Sequence, residues 1–250
     1  MYYKTPITKK IKKKLTYLFS KIFFRLIDKF FNTTLEELIR RKILNLHSQN
    51  YKIIDNLYYF IHVPKTGGTT LHTFLQSNLK KKLFNFNHPY SYNFYTHYPL
   101  KRNHYFKKSN KYLTIIRDPR FRVYSFYIDC LINKKSVFHN IANKGLENFC
   151  KKCWEAQNLY TKYYSGNFDY LNINTLNVAK ANLSKFFFIL DFDNLSNDIK
   201  NLSQILNFDS DKFVTKNKKN YNLPVNKDLE IIETYNNFDI MLYNHIKKII

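Results

Sequence analysis

The sequence predicts an α/β fold of three layers, with a mainly parallel central sheet flanked by helices. Two observations carry that expectation. Residues 56–63, 112–116 and 186–192 are short, nearly continuous apolar runs rich in aromatic and β-branched residues, and each is followed by a turn and a helically spaced stretch. Strand, turn and helix repeated in that order wind a parallel sheet. The chain has 250 residues, 44% of them hydrophobic, which suffices for one α/β core.

The elements follow in order. Residues 1–50 form a basic amphipathic N-terminal segment, and residues 51–250 form the main domain. In the first part, Ile7, Ile11, Leu15, Leu18, Ile22, Leu26 and Phe30 recur at helical spacing among lysines. Lys21, Arg25, Asp28 and Lys29 interrupt the apolar run well before the ~20 residues a membrane span needs. No secretory h-region or cleavage site follows, so the expectation is a cytoplasmic protein. Two readings of residues 1–31 stay open: a helix lying peripherally on an anionic membrane, or an ordinary helix packed on the core. A second helix starts at Thr33 or Thr34, each with a glutamate three residues on, the spacing of a capping box.

The first strand, NLYYFIHV, stops at Pro64. The stretch PKTGGTT then holds two of the four glycines in the whole chain, Gly67 and Gly68. A helix follows, with Leu71, Phe74, Leu75 and Leu79 on one face. Amides at a helix start lack intrahelical partners and carry partial positive charge. A glycine turn there lets a phosphate or sulfate approach them. Thr66, Thr69 and Thr70 are candidate hydroxyl donors, and Lys65 supplies a full charge. The stretch is not a Walker sequence, because its lysine precedes the glycines.

The second informative stretch is KYLTIIRDPRFRVYSFYIDCLI, residues 111–132. Asp118 caps a helix that opens on Pro119 and carries Phe121, Tyr124, Ile128 and Leu131 as its apolar stripe. Arg117 falls at the C-terminal strand edge, where parallel sheets bind ligands, and Ser125 lies two helical turns on. A guanidinium beside a hydroxyl suits a terminal phosphate. The third unit, residues 181–208, reads as a strand and a helix with Leu195, Ile199, Leu202 and Leu206 on one face. A single helix is expected near residues 227–249, with a stripe through Ile231, Tyr235, Phe238, Leu242, Ile246 and Ile249.

PKTGGTT followed about 50 residues later by IIRDPRFRVYSFY resembles the two nucleotide-binding signatures of sulfotransferases that use 3′-phosphoadenosine 5′-phosphosulfate (PAPS). The resemblance is to the carbohydrate branch, which includes heparan sulfate 2-O-sulfotransferases and bacterial members, and it covers roughly residues 57–245. It implies a P-loop NTPase-like fold, with residues 65–70 holding the 5′-phosphosulfate and Arg117 and Ser125 holding the 3′-phosphate. It also implies a carbohydrate acceptor, PAPS as co-substrate and no metal. Lys65 is the candidate for stabilising the departing phosphate. His97, 20 residues before Arg117, is the candidate base by its similar distance in the family, although Thr96 stands where the family has glycine. A histidine's ordinary pKa near 6.5 suits proton removal at neutral pH. His62, His88 and His104 are reserves. Lys216 falls in a loop that would close on the nucleotide. In NLYTKYYSG, Tyr160 and Lys162 replace a glutamine and an arginine usual in the family.

Composition bears on the alternatives. Lys and Arg total 41 against 18 Asp and Glu, a formal charge of +23 that favours polyanionic ligands. Richness in Lys, Asn, Ile, Tyr and Phe throughout, as AT-rich codon usage produces, accounts for part of this excess. A basic nucleic-acid or membrane module would use the charge and the 18% aromatic content, yet no nucleic-acid signature is present, so no nucleic-acid partner is expected. A P-loop-type nucleotide or small-molecule kinase would share the sheet but needs a magnesium-holding acid, for which Asp191 and Asp193 are weak candidates. Cys130, Cys150 and Cys153 are too few for a closed four-thiolate zinc site, and the pair at 150 and 153 reads as plain thiols in a helical pattern.

Overall fold

Three short strands pair in parallel in the order β1-β2-β3: β1 Tyr58–Ile61, β2 Lys111–Ile116 and β3 Phe188–Asp191. The structure, a computed structural model, describes residues 57–79, 99–100, 106–210, 213 and 223–250. Tyr59 stands opposite Tyr112, and Thr114 opposite Ile61 on one side and Ile189 on the other. Thr114 is buried on β2 and keeps its hydroxyl satisfied by donating to the Ile61 carbonyl at 2.7 Å and by sharing a 2.7 Å hydrogen bond with the Tyr164 hydroxyl.

Period-two alternation sorts the strand side chains onto two faces. Phe60, Leu113, Ile115 and Leu190 pack with Leu71 and Leu75 of α1, Gly68–Leu79, and with Ile199 and Leu202 of a later helix, Leu195–Leu206. Tyr59, Ile61, Tyr112 and Ile116 face the other way onto Tyr160, Tyr164, Leu176, Leu242 and Ile246. Helices thus cover both faces, the α/β arrangement the sequence predicts.

After β2 come α2 Pro119–Ile132, α3 His139–Ala142, α4 Leu146–Lys152, α5 Leu159–Ser165 and α6 Ile173–Leu183; after β3 come α7 Leu195–Leu206, α8 Asn226–Tyr235 and α9 Asn237–Ile246. α2 starts where its sequence says it should: the Asp118 carboxylate accepts from the Arg120 amide at 2.8 Å, and Pro119 opens the helix. The strands at 58–61 and 188–191 are shorter than their apolar runs, which leaves His62 in the turn beyond β1 and Phe192 opening a 3-10 helix, Phe192–Asn194, beyond β3.

The single C-terminal helix expected near 227–249 is corrected: it is two helices broken at Asn236. Asn236 is fully buried; its amide group donates to the carbonyls of Ala156 and Ile232, and its side-chain oxygen accepts from the Asn158 amide. These tertiary bonds replace continuation of the helix. Ile232, Leu242 and Ile246 are buried, whereas Ile249 is exposed.

Cys130, Cys150 and Cys153 are buried and form no disulfide bridge, and burial pushes Cys130 and Cys150 up to about 12. Cys130 and Cys150 are therefore unreactive as thiolates near neutrality. Among the described residues no helix is long and apolar enough to cross a membrane. The N-terminal segment 1–50, His88, His97, His104 and Lys216 lie outside the described residues.

Candidate functional site

The C-terminal ends of the three strands supply one cluster. β1 leads into the turn 62–67, β2 into Arg117 and Asp118, and β3 into Phe192 and Asp193. In parallel sheets this edge is where ligands bind.

The first turn is conformationally unusual. Lys65 has φ of 70° and Gly67 φ of 83°, both in the left-handed region that L side chains rarely adopt. Gly67 and Gly68 also have close neighbours within the protein. A Cβ on Gly68 would lie 2.1 to 2.8 Å from three ring atoms of His62, and one on Gly67 would lie 2.8 Å from the Phe192 ring. The two glycines therefore let the turn close against an imidazole on one side and a phenyl ring on the other. His62 is buried and stacks on Phe60 with ring centroids 5.5 Å apart.

The threonines divide. Thr66 is fully buried and donates its hydroxyl to the Val63 carbonyl at 2.8 Å, so that proton tightens the turn. Thr70 is buried, and its amide donates to the Gly67 carbonyl. Thr69 is exposed at the start of α1.

Arg117 meets this turn directly. Its Nη1 donates to the Lys65 carbonyl at 3.4 Å, and its guanidinium carbon lies 4.5 Å from the centre of the Phe192 ring. Phe192 thus serves as a wall for both Gly67 and Arg117. Burial lowers the Arg117 pKa from the usual arginine value, opposed by Tyr160, Asp193 and Asp118, though a guanidinium stays charged. Asp193 is pushed up by partial burial and by Asp191, while Arg117 opposes that shift. Ser125 lies partly buried on α2, and one turn on the same helix Asp129 places Oδ2 3.5 Å from the Lys65 Nζ. Lys65 thus meets both Arg117 and Asp129 of α2, and Ser125 lies one turn before Asp129 on that helix. His97 and Lys216 belong to undescribed stretches.

Arg120 is employed elsewhere, bound to the Asp118 carboxylate and to Glu233 of α8. Those bonds, to Asp118 first, raise its pKa.

Sequence reasoning missed Tyr160 as a support of the site. Its hydroxyl donates to the Arg117 carbonyl at 2.8 Å and accepts from the Arg117 amide at 3.0 Å. The phenol is fully buried, and burial raises its pKa well above the ordinary value, so it stays protonated. Tyr160 is held in turn by Asp239 of α9, which accepts from the Tyr160 and Thr161 amides at 2.9 and 2.8 Å and from the Thr161 hydroxyl. The aromatic run 159–164 signals burial; nothing local signals a hydroxyl partner 43 residues away. Lys162, the other departure from the family pattern, is buried and donates to the Trp154 carbonyl at 2.8 Å.

A cavity of about 530 Å³ lies along β3, and its lining includes Phe187, Asn194, Asn201 and the ion pair of Asp191 with Lys247. Asp191 is thus engaged by a lysine. Among the described residues no group of three or more His, Cys, Asp or Glu could hold a metal ion.

What the cluster can do is bind anions: the start of α1, an ammonium and a guanidinium converge at one sheet edge. No protein-family model matches the chain, and no curated protein matches it.

Proposed function

We propose that the chain is a sulfotransferase that moves a sulfuryl group from PAPS to a hydroxyl of a carbohydrate acceptor. The observation that carries the reading is the 3.4 Å contact between the Arg117 guanidinium and the Lys65 carbonyl, which joins the two anion-binding turns at one edge of a parallel sheet. A nucleotide with a phosphate at each end of its ribose needs two such turns side by side.

In this reading the amides of Gly67, Gly68 and Thr69, the Thr70 hydroxyl and the Lys65 ammonium hold the 5′-phosphosulfate, with Thr66 bracing the turn. Arg117 and Ser125 hold the 3′-phosphate, and Lys216 closes over the nucleotide. The acceptor oxygen forms its bond to sulfur as the bond from sulfur to the bridging phosphate oxygen breaks. The acceptor proton passes to a base, and His97 is the proposed one. Lys65 neutralises charge growing on the departing oxygen, the electrostatic role that dominates related phosphoryl transfers.

The test compares ligands by thermal unfolding. Adenosine 3′,5′-bisphosphate at a hundredfold excess over its dissociation constant stabilises the fold by about 2.7 kcal/mol, and ATP or an oligonucleotide does not match it. Labelled PAPS offered with a panel of glycans then identifies the acceptor. Stabilisation by ATP with magnesium but not by the bisphosphate would overturn the reading in favour of a kinase. His97→Ala is expected to keep bisphosphate affinity and to lose transfer.

A further inference from the structure

Lys65 is held at both its ends. Its backbone sits at φ 70°, and its ammonium lies 3.5 Å from the Asp129 carboxylate on α2. Asp129 is four residues beyond Ser125, hence on the same helical face and directed at the same turn. It is no helix cap, since Asp118 fills that role 11 residues earlier. At 24% and 31% exposure the two side chains are neither buried nor free in solvent. A separation of 3.5 Å exceeds the roughly 2.7–2.9 Å of a close charge-assisted hydrogen bond, so the pair attracts without locking.

Resting on the sulfotransferase reading, we infer that Asp129 is a latch for Lys65, a positioning residue that docks the ammonium on α2 until an anion in the 65–70 turn draws it away. An arriving phosphosulfate competes with the carboxylate for one lysine. The latch sets a threshold that strongly charged anions cross more readily than weak ones. Removing the carboxylate takes away this competitor for the ammonium, so affinity rises while discrimination falls. Cys130, the next residue along α2, and Glu155 share the electrostatic neighbourhood of the pair. Both are constant across the variants below.

The experiment uses the full chain as wild type, Asp129→Asn, Asp129→Glu, Lys65→Ala and the Asp129→Asn, Lys65→Ala double variant. One readout needs no ligand: the rate at which acetic anhydride acylates Lys65, followed by peptide mass spectrometry across pH. Loss of the carboxylate lowers the midpoint of Lys65 reactivity by about half a pH unit, Asp129→Glu restores it, and exposed Lys151 and Lys200 do not move. The second readout is calorimetric binding of adenosine 3′,5′-bisphosphate. Asp129→Asn binds about twofold to fivefold more tightly, and the gain disappears when Lys65 is alanine.

Unchanged Lys65 reactivity in Asp129→Asn overturns the latch. So does a gain in affinity that persists without Lys65, because Asp129 would then act on the ligand by direct repulsion. A shifted reactivity with no bisphosphate binding in any variant upholds the latch on Lys65 and overturns the sulfotransferase reading alone.

Discussion

The hydroxyl of Tyr160 grips both backbone polar groups of Arg117, donating to its carbonyl at 2.8 Å and accepting from its amide at 3.0 Å. One phenol thereby fixes the residue at which β2 ends and α2 is about to begin. The guanidinium starts from a defined backbone and has only its own rotamers left to settle, which the Phe192 ring and the Lys65 carbonyl do. Tyr160→Phe keeps the ring and removes both bonds. It is expected to cost about 1–3 kcal/mol of stability in urea unfolding, since two backbone groups lose their partner. In the proposed function, bisphosphate affinity falls about tenfold. Full stability in the variant would mean that Arg117 is held by other means.

Gly68 can be tested through the residue it accommodates. Three His62 ring atoms lie within 2.8 Å of where a Cβ would sit, and those rings are packed on Phe60. Gly68→Ala must displace the imidazole, and overpacking of this kind costs about 1–3 kcal/mol. Adding His62→Ala opens the space and restores part of the loss, a coupling visible in a double-mutant cycle. If ligand approach were the sole reason for the glycine, Gly68→Ala would leave stability unchanged and alter only binding.

Arg117 and a lysine differ in shape more than in charge. Lysine keeps the positive charge but loses the planar group that stacks on Phe192 and the second nitrogen of the fork. Arg117→Lys is expected to weaken adenosine 3′,5′-bisphosphate about tenfold. For adenosine 5′-phosphosulfate, which lacks the 3′-phosphate, wild type and variant should bind alike. Equal losses for both nucleotides would remove the 3′-phosphate from Arg117.

These tests also mark which parts of the site were legible in the sequence. The strand, turn and helix units were, because their signals are local: apolar runs at strand length, Pro64 as a stop, and Asp118 with Pro119 as a start. The neighbourhood of Lys65 and Arg117 followed from the parallel pairing of the strands that precede them. The helix break at Asn236 was not legible, because an amide that binds Ala156 and Asn158, about 80 residues back, looks like any polar helix residue. The same holds for Tyr160, whose phenol reads as core until its partner is known. The glycines were legible as a turn but not as the space for His62 and Phe192, contacts that no spacing rule encodes. Nothing local marks Asp129, whose contact with the Lys65 ammonium depends on how the turn after β1 meets α2.

Asp239 links this support to pH. Its carboxylate is fully buried at the start of α5, where it accepts from two amides and a hydroxyl. Burial raises its pKa above the ordinary 3.8, with Arg122 and the α5 donors opposing. Between the unfolded value and the raised folded value, the native state therefore binds more protons than the unfolded chain. The stabilising contribution of this titration is fully present below 3.8 and is lost as pH rises through the folded value. Partial burial and Asp191 give Asp193 a shift of the same sign, so the Asp239 share must be isolated by a variant. Asp239→Asn cannot titrate, and it turns an NH₂ group toward donors, which costs about 1–3 kcal/mol even at neutral pH. Urea unfolding of both proteins from pH 7 to pH 4 should show wild type pulling further ahead of the variant as pH falls. A gap that stays constant or narrows would mean that the α5 amides, not burial, govern this carboxyl.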